Sequence, residues 1–164
     1  MPIELIAAVA GGNVIGYKGK MPWGRLPLDL ARFRSITEGQ TIVVGYNTLV
    51  SIGKELPGRR VLGLTHDPRK LSQFPWCGAT TVDAVLEMAK TRRVIIAGGE
   101  EVYRQFLPYA KVAHITRIEG TFNGDVRFPE LSTAEWYCSK YSSFHYPSSE
   151  NPYPIRFEIW YRKE

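Results

Sequence analysis

The sequence is poor in the residues that build metal centres and disulfide frameworks. It has 2 Cys and 3 His among 164 residues, and none of them follows a metal-ligand spacing such as H-E-x-x-H or paired C-x-x-C. A chain of this length also buries a core large enough to fold without a disulfide. We therefore predict no metal site and two free thiols, at Cys77 and Cys138.

Long apolar runs are missing as well. The longest uncharged apolar run spans residues 5–10, whereas a membrane-spanning helix needs ~20 residues and the core of a signal peptide ~7–15. Pro2 and Glu4 stand where a signal peptide carries positive charge. We expect no membrane partner, a mature amino terminus and a cytoplasmic location.

Neither sign of charge dominates strongly. The chain carries 21 Lys+Arg against 16 Asp+Glu, a formal net charge of +5, which suits a nucleic acid or an anionic small-molecule substrate. The basic residues are dispersed, and no repeated aromatic and basic pattern is present for stacking on bases. We expect a small-molecule substrate and no nucleic-acid partner.

The chain does contain apolar runs, bounded by Gly, Pro or polar residues, that predict β-strands. The first four are β-branched and nearly continuous, as in parallel strands covered on both faces, and the last two alternate, as at an antiparallel edge. We predict one α/β domain over residues 1–164, with a mixed, mostly parallel central sheet flanked by helices and an antiparallel C-terminal edge. The predicted strands are residues 3–10, 41–45, 60–64, 94–97, 111–118 and 155–161, and the predicted helices are residues 28–35, 47–52, 82–90 and 101–107.

Three predicted strand ends offer groups suited to phosphate. They are the Gly pair at residues 98–99, which opens a helix, residues 45–48 with the sequence GYNT, and residues 65–66 with the sequence TH. Ligands of open α/β sheets bind at the carboxyl ends of the strands, and helix starts there favour anions. Each end could equally be an ordinary turn. None matches G-x-G-x-x-G or the P-loop, so neither an ordinary Rossmann domain nor a P-loop ATPase is indicated.

One carboxylate falls on the apolar side of a predicted helix. At ~100° per residue, Asp29 lies between Ile36 and Phe33. As an acid in the first turn after Pro27, it could serve only the helix dipole. Alternatively, a carboxylate in an apolar pocket has a raised pKa or pairs with the donors of a ligand. Beside a dinucleotide-type site, such an acid suits hydride transfer to a C=N bond, where it orients the substrate and helps protonate nitrogen.

As a set, these residues resemble dihydrofolate reductase over nearly the whole chain. The resemblance implies NADPH-dependent reduction of 7,8-dihydrofolate to 5,6,7,8-tetrahydrofolate, which supplies one-carbon and thymidylate metabolism. It also implies antifolate inhibitors as further partners, and a monomer. The motifs occur in the family's order: LIAA at residues 5–8, VIG at 14–16, MPW at 21–23, LPLDL at 26–30, SIG at 51–53, LPGR at 56–59, GG at 98–99, VY at 102–103, and GD at 124–125 before FP at 128–129.

The resemblance implies a pterin site in which Asp29 is the only ionisable residue. Asp29 then accepts hydrogen bonds from the pterin 2-amino group and a ring N–H, while N5 receives its proton through water. Thr116 matches the threonine that supports this acid, and Arg59 matches the arginine that clamps the α-carboxylate of the glutamate tail. The other substrate-binding residues implied are Ile6, Ala8, Trp23, Leu30, Phe33, Lys54 and Leu56.

The resemblance also implies an NADPH site across the strand ends. Residues 98–99 form a cis peptide in the family and help hold the pyrophosphate, and residues 15–20 form a mobile loop over the nicotinamide. Tyr46 stands where the family often has Arg beside the 2′-phosphate, which makes Thr65 and His66 candidates for that contact. The implied cofactor-binding residues are Ala8, Val14, Ile15, Gly16, Gly19, Lys20, Gly45, Tyr46, Asn47, Thr48, Leu64, Thr65, His66, Gly98, Gly99, Glu100, Glu101, Val102, Tyr103 and Gln105.

Three other functions remain open at this point. Nucleic-acid binding driven by the net charge of +5 would show strongly salt-dependent association. A reductase of the same fold that acts on another pterin, or on the pyrimidine intermediate of riboflavin synthesis, would not need Asp29. A non-catalytic nucleotide-binding protein that kept the fold would bind without turnover. The connection at residues 23–27 has one residue more than the family's usual P-W-x-L-P, so we expect its loop closure to differ.

Overall fold

The structure, a computed structural model, describes residues 3–164, so Pro2, used above as a sign of mature sequence, lies outside the described residues. The strands are β1 Ile3–Val9, β2 Val14–Gly16, β3 Thr41–Val44, β4 Arg60–Leu64, β5 Gly78–Thr80, β6 Val94–Ile96, β7 Ala110–Ile118, β8 Val126–Arg127, β9 Trp136–Cys138, β10 Ser143–His145 and β11 Ile155–Arg162. The helices are α1 Pro27–Thr37, α2 Tyr46–Ile52, α3 Val82–Met88 and α4 Glu100–Phe106.

The central sheet has the strand order β10-β11-β7-β1-β6-β3-β4-β5, with β9 also paired to β11. The pairs from β7 to β5 are parallel. β11 runs antiparallel to β7, β9 and β10. β3, the run TIVV, is buried at all four positions, as a strand covered on both faces must be. The predicted mixed, mostly parallel sheet with an antiparallel C-terminal edge is confirmed.

β7 differs from its prediction. Its alternating pattern indicated an antiparallel edge, but the strand lies inside the sheet, parallel to β1 on one side and antiparallel to β11 on the other. The polar residues that produce the alternation, His114 and Thr116, are only 9% and 4% exposed. They face the interior rather than water, so alternation here indicates buried polar residues instead of a solvated face.

The shortest strands were not predicted from the sequence. β2, β5, β8, β9 and β10 have two or three residues each, too few to display a period of two. The ends of α1 to α4 were each predicted within two residues. No helix in residues 3–164 is long and apolar enough to cross a membrane. Cys77 and Cys138 are free thiols, as expected.

The connection that leads into α1 is anchored at both of its ends. Trp23 and Leu26 are buried in a cluster with Phe157 of β11, and the backbone N–H of Leu28 donates to Asn151 Oδ1 at 3.1 Å. The first N–H groups of a helix have no acceptor within it, so Asn151 satisfies one of them. These contacts fix where α1 begins against the sheet.

Candidate active site

The Asp29 carboxyl lies where the first turn of α1 meets β7. Burial raises the pKa of this carboxyl above its ordinary value, and a hydrogen bond from Thr116 and the positive charge of Arg32 oppose the rise. Asp29 is an acidic residue in the first turn, directly after Pro27. The two interpretations of Asp29 are therefore compatible, because the same carboxylate is near the helix start and inside an enclosed site.

Thr116 occupies the floor of this site. It is in register with Ala8 on β1 and with Phe157 on β11, so the three residues lie side by side across the sheet. Ile6, two residues before Ala8, is 8% exposed and accepts a hydrogen bond of 2.6 Å at its carbonyl from the Tyr103 hydroxyl. This floor is apolar apart from the Thr116 hydroxyl.

Tyr103, on α4, is a buried phenol that is influenced by the charge of Asp29. Burial first, and then the negative charge of Asp29, raise the pKa of Tyr103 well above its usual range, so the phenol stays neutral. Its ring packs edge to face on Phe128, with centroids 4.8 Å apart. The Tyr103 hydroxyl donates its proton in a hydrogen bond to the Ile6 carbonyl, so it is not available as a proton donor to a ligand.

The remaining residues predicted for the substrate are distributed along α1 and the chain after α2. Phe33 and Leu56 are partly buried against one cluster of the core, whereas Leu30 is 38% exposed. Arg59 donates from Nε to the Pro57 carbonyl at 3.0 Å and from Nη1 to Thr37 Oγ1 at 3.4 Å, at the end of α1. Lys54 is exposed.

The carboxyl ends of β3 and β6 meet at bare backbone. The Gly45 N–H donates to the Gly98 carbonyl at 2.8 Å, and the Gly98–Gly99 peptide is cis. A Cβ atom on Gly45 would lie 2.9 Å from Val102 Cγ2, and one on Gly98 would lie 3.2 Å from Thr48 Oγ1. Only glycine therefore fits at these two positions without displacing a neighbour.

Both helices that start at this edge lack a side-chain cap. Gly45 precedes α2 and Gly99 precedes α4, and at neither helix start does a backbone N–H donate a capping hydrogen bond to a side chain. The first backbone N–H groups of α2 and α4 are therefore available to an anionic ligand. Asn47 is exposed and does not cap α2.

The third strand end, after β4, is built differently. The Thr65 hydroxyl accepts from the Asp67 N–H at 3.0 Å and donates to the Asp67 carbonyl at 3.1 Å, so it holds its own turn together. His66 is exposed, and Leu64 is partly buried. Tyr46, on α2, accepts a hydrogen bond at its hydroxyl from Gln73 Nε2 at 2.7 Å.

The segment predicted to cover the nicotinamide is a tight turn tied to the chain beyond β7. Tyr17 and Lys20 exchange backbone hydrogen bonds of 2.8 and 3.1 Å, and the Lys18 N–H donates to Asp125 Oδ2 at 2.9 Å. Val14, Ile15 and Gly16 form β2, which pairs with β8, and Gly19 has a φ of 77°.

The residues predicted to bind the cofactor differ in their exposure. Val102 is buried, with 6% of its surface exposed, and Glu100 accepts a hydrogen bond from the Arg127 N–H at 2.9 Å. Within residues 3–164, no group of three or more His, Cys, Asp or Glu side chains is arranged to hold a metal ion. The predicted cofactor residues that are exposed are Gly19, Lys20, Tyr46, Asn47, His66, Glu101 and Gln105.

Two residues of the site were not predicted. Arg32 lies one turn after Asp29, half-buried, with Cζ 4.6 Å from the centroid of the Phe157 ring. The i, i+3 spacing placed both residues on adjacent positions of one helix face, so the sequence carried this signal. Asn151, which anchors the start of α1, lies in a distant loop, and nothing in the sequence pattern indicates its partner.

Comparison with known proteins gives one answer over the full length of the chain. The sequence model of the dihydrofolate reductase family matches residues 2–162. The dihydrofolate reductase type 3 of Salmonella typhimurium is 33% identical, and the alignment covers 96% of both chains. The dihydrofolate reductase of Haemophilus influenzae is 34% identical, and the alignment covers 99% of this chain and 100% of that relative.

A solved structure agrees. Dihydrofolate reductase from Enterococcus faecalis, complexed with NADP(H) and RAB-propyl, superimposes with a TM-score of 0.90 and 30% sequence identity, covering 99% of this chain and 97% of that one. With the acid of α1, the glycine-lined strand ends and this match over the whole length, the family prediction is confirmed: the chain belongs to the dihydrofolate reductase family.

Proposed function

We propose that this chain reduces 7,8-dihydrofolate to 5,6,7,8-tetrahydrofolate with NADPH. The observation that carries the proposal is the Asp29 carboxyl, enclosed between α1, Thr116 and Tyr103 and lying in the same fold as two glycine-lined, uncapped strand ends. Membership of the family supports this assignment. Neither another reductase of this fold nor a non-catalytic protein explains why an acid occupies that enclosure.

The strand ends after β3 and β6 fit a dinucleotide. Side chains at Gly45 and Gly98 would fill the space beside Thr48 and Val102, and the starts of α2 and α4 offer free N–H groups to a pyrophosphate. We assign these residues, with Gly99, to the cofactor. NADPH supplies the hydride when it is bound there.

Asp29 binds and orients the pterin. Its two oxygens accept hydrogen bonds from the 2-amino group and a ring N–H of the substrate as a fork, and Thr116 holds the carboxyl in place. Because burial raises the pKa of Asp29, the carboxyl also retains a proton at a higher pH than an exposed aspartate does. When Asp29 is protonated, this proton passes through water to N5 of the pterin, and the carboxylate that remains accepts the two N–H groups.

The apolar residues around Asp29 exclude water from the path of the hydride. Ile6 and Ala8 form the floor on β1, Phe33 lies on α1, and Leu56 closes the side beyond α2. Antifolate inhibitors, which mimic the pterin, occupy the same cleft in this proposal.

Arg59 binds the tail of the substrate. The contacts with Pro57 and Thr37 fix the guanidinium at the end of α1, and no acidic side chain among residues 3–164 forms an ion pair with it. Its fork is therefore available for the α-carboxylate of the glutamate tail, with Lys54 as a second, exposed cation.

We also propose that the protein acts as a monomer in the cytoplasm. Asp29, Thr116, Arg59 and the strand ends all come from one chain, so the site is complete without a partner. Gel filtration combined with light scattering checks the oligomeric state, and a dimer that dissociates with loss of activity contradicts it.

The direct test is the initial rate of NADPH oxidation with dihydrofolate as the second substrate. We expect rapid, dihydrofolate-dependent loss of nicotinamide absorbance. A parallel assay with NADH measures cofactor preference, because Tyr46 replaces an arginine that the family often uses for the 2′-phosphate. Folded protein that oxidises neither cofactor in the presence of dihydrofolate would refute the proposed activity.

A further inference from the structure

The Arg32 guanidinium has a defined place beside the pterin-site acid. It lies on α1, one turn after Asp29, with Cζ 4.6 Å from the centroid of the Phe157 ring. Phe157 is 8% exposed and is the cross-strand partner of Thr116 on β7. Thr116 in turn supports Asp29. The cation, the ring, the hydroxyl and the carboxyl therefore form one continuous set of contacts across the interface between α1 and the sheet.

The ring of Phe157 determines where the charge of Arg32 is held. A guanidinium over an aromatic face is attracted by the ring quadrupole, and it stacks without losing its charge. Within residues 3–164, neither Arg32 nor Asp29 forms an ion pair closer than 4.0 Å. The two charges therefore interact through space, which leaves the carboxylate oxygens of Asp29 free for the substrate.

Other ionisable groups around Asp29 do not duplicate this effect. Tyr103, on α4, is neutral, and His145, on β10, packs against Phe157, with ring centroids 5.1 Å apart. Glu4 and His114 lie farther along the same face of the sheet and bind one another. Arg32, three residues after Asp29 on α1, supplies a positive charge that acts on the Asp29 carboxyl.

We propose that Arg32 is a positioning residue which favours the ionised form of Asp29 and so determines the pH above which proton supply limits turnover. The proposal deepens the proposed function and rests on it for its catalytic meaning. Arg32 touches no reacting atom; it acts on the acid through the field of a charge that Phe157 holds in place.

The first test follows the ionisation of Asp29 in the free protein, without substrate or cofactor. The carboxyl carbon of Asp29, assigned by its loss in Asp29→Asn, is titrated by ¹³C NMR. We expect the midpoint to move to higher pH in Arg32→Met, which keeps most of the stem and removes the charge. Arg32→Lys keeps the charge and should return the midpoint toward that of the parent. An unchanged midpoint in Arg32→Met overturns the proposal.

Arg34→Met provides the matched control on the same helix. Arg34 is exposed and pairs with Glu38 at 3.8 Å, so the loss of its charge should leave the titration of Asp29 unchanged. An equal shift in Arg34→Met would mean that any positive charge on α1 has the same effect, and it would overturn the specific role of Arg32. Should Arg32→Met fail to fold, Arg32→Gln provides the same neutral side chain for the titration.

The second test is the pH profile of turnover. With the charge removed, Asp29 keeps its proton to higher pH, so the rate of Arg32→Met relative to the parent should rise by roughly two- to fivefold from acidic to alkaline pH. A constant ratio, accompanied by a lower melting temperature, means that Arg32 only packs on Phe157, and it refutes the proposal. Absence of turnover in the parent protein refutes the proposed function instead, while the NMR titration still decides the coupling of the two charges.

Discussion

The Asp29 carboxylate has to be tolerated by the fold before it can act. A carboxyl whose pKa is raised by burial resists ionisation in the folded state, and enzymes use such environments to keep an acid protonated near the working pH. Under the proposed function, the burial of Asp29 beside Thr116 would therefore serve catalysis at the expense of stability.

Replacing Asp29 with Asn separates these two effects. The amide keeps the shape of the side chain but cannot accept two hydrogen bonds or supply a proton, so we expect turnover to fall by roughly 10²–10⁴-fold. Because the folded pKa of Asp29 is raised, ionisation costs stability as pH rises through it, and Asp29→Asn should melt at a higher temperature than the parent at neutral pH. Steady-state kinetics and thermal melts measure both quantities.

The control for this substitution is Asp83→Asn. Asp83 is also an acid in the first turn of a helix, α3, but it is exposed and outside the site. This variant should keep the turnover of the parent. Parent-like turnover in Asp29→Asn would contradict the assigned role, whereas recovery of the variant at lower pH, where solvent protonates the substrate, would support a role in proton delivery.

The elements of this fold differ in how far their sequences predict them. β1, β3, β4 and β6 are largely apolar and largely buried, and this pattern alone places them in a parallel sheet. The pattern of β7 resembles that of an edge strand because His114 and Thr116 are polar residues turned into the interior. An alternation of polar and apolar residues shows that the two faces of a strand differ. It does not show which face is exposed to solvent.

The sequence predicted those parts of the site that depend on a single segment of the chain. Asp29 was found because its position on the apolar side of α1 is a one-helix property. The contact between Arg32 and Phe157, and that between Leu28 and Asn151, join residues more than a hundred positions apart. Such pairs depend on how α1 is packed on the sheet, and that arrangement is not encoded in any short segment.

The junction of β3 with α2 gives a prediction about the cofactor. In Gly45→Ala the new Cβ would lie 2.9 Å from Val102 Cγ2, so α4 must shift away from the strand end that we assign to the pyrophosphate. We expect the KM for NADPH to rise about tenfold or more, because a small misplacement of positioning groups is costly. The KM for dihydrofolate should change much less.

Gly78→Ala is the matched control for Gly45→Ala. A Cβ at Gly78 on the outer strand β5 would be similarly tight, 3.0 Å from Leu62 Cδ2, but far from the cofactor edge. This variant should lose stability and retain the KM for NADPH. If both variants raise that KM equally, the effect is general loosening of the sheet, and the assignment of Gly45 to the cofactor is wrong.

At the opposite end of the parallel strands, one buried ion cluster ties three segments together. Glu4 on β1 is 5% exposed and binds the Arg93 guanidinium through two hydrogen bonds, one of them 2.8 Å long, and the ring of His114 on β7. Burial alone would raise the pKa of Glu4, but the hydrogen bonds from His114 and Arg93 and the charge of Arg93 lower it to about 2. The ionised carboxylate therefore stabilises the fold.

This cluster makes the stability of the protein fall in acid. A carboxyl whose folded pKa is about 2, against an ordinary value of 4.5, contributes its stability above pH 4.5 and loses it as pH falls toward 2. The pKa difference corresponds to about 3 kcal/mol at neutral pH. We expect the free energy of unfolding, measured by urea titration, to drop by about this amount across that window.

Glu4→Gln should remove most of this acid dependence and leave the protein less stable at neutral pH, because Arg93 then faces no counter-charge. Glu87→Gln is the control, since Glu87 is exposed and pairs only with Lys90 at 2.7 Å; its loss should leave both the stability and its pH profile unchanged. Equal slopes for Glu4→Gln and the parent below pH 4.5 would place the acid sensitivity elsewhere.

Asp29 contributes to stability with the opposite sign, because its pKa is raised in the folded protein and that of Glu4 is lowered. The single variant Asp29→Asn should therefore steepen the rise of stability with pH. Melts of the parent and of the two single variants over one series of pH values distinguish the two carboxyls.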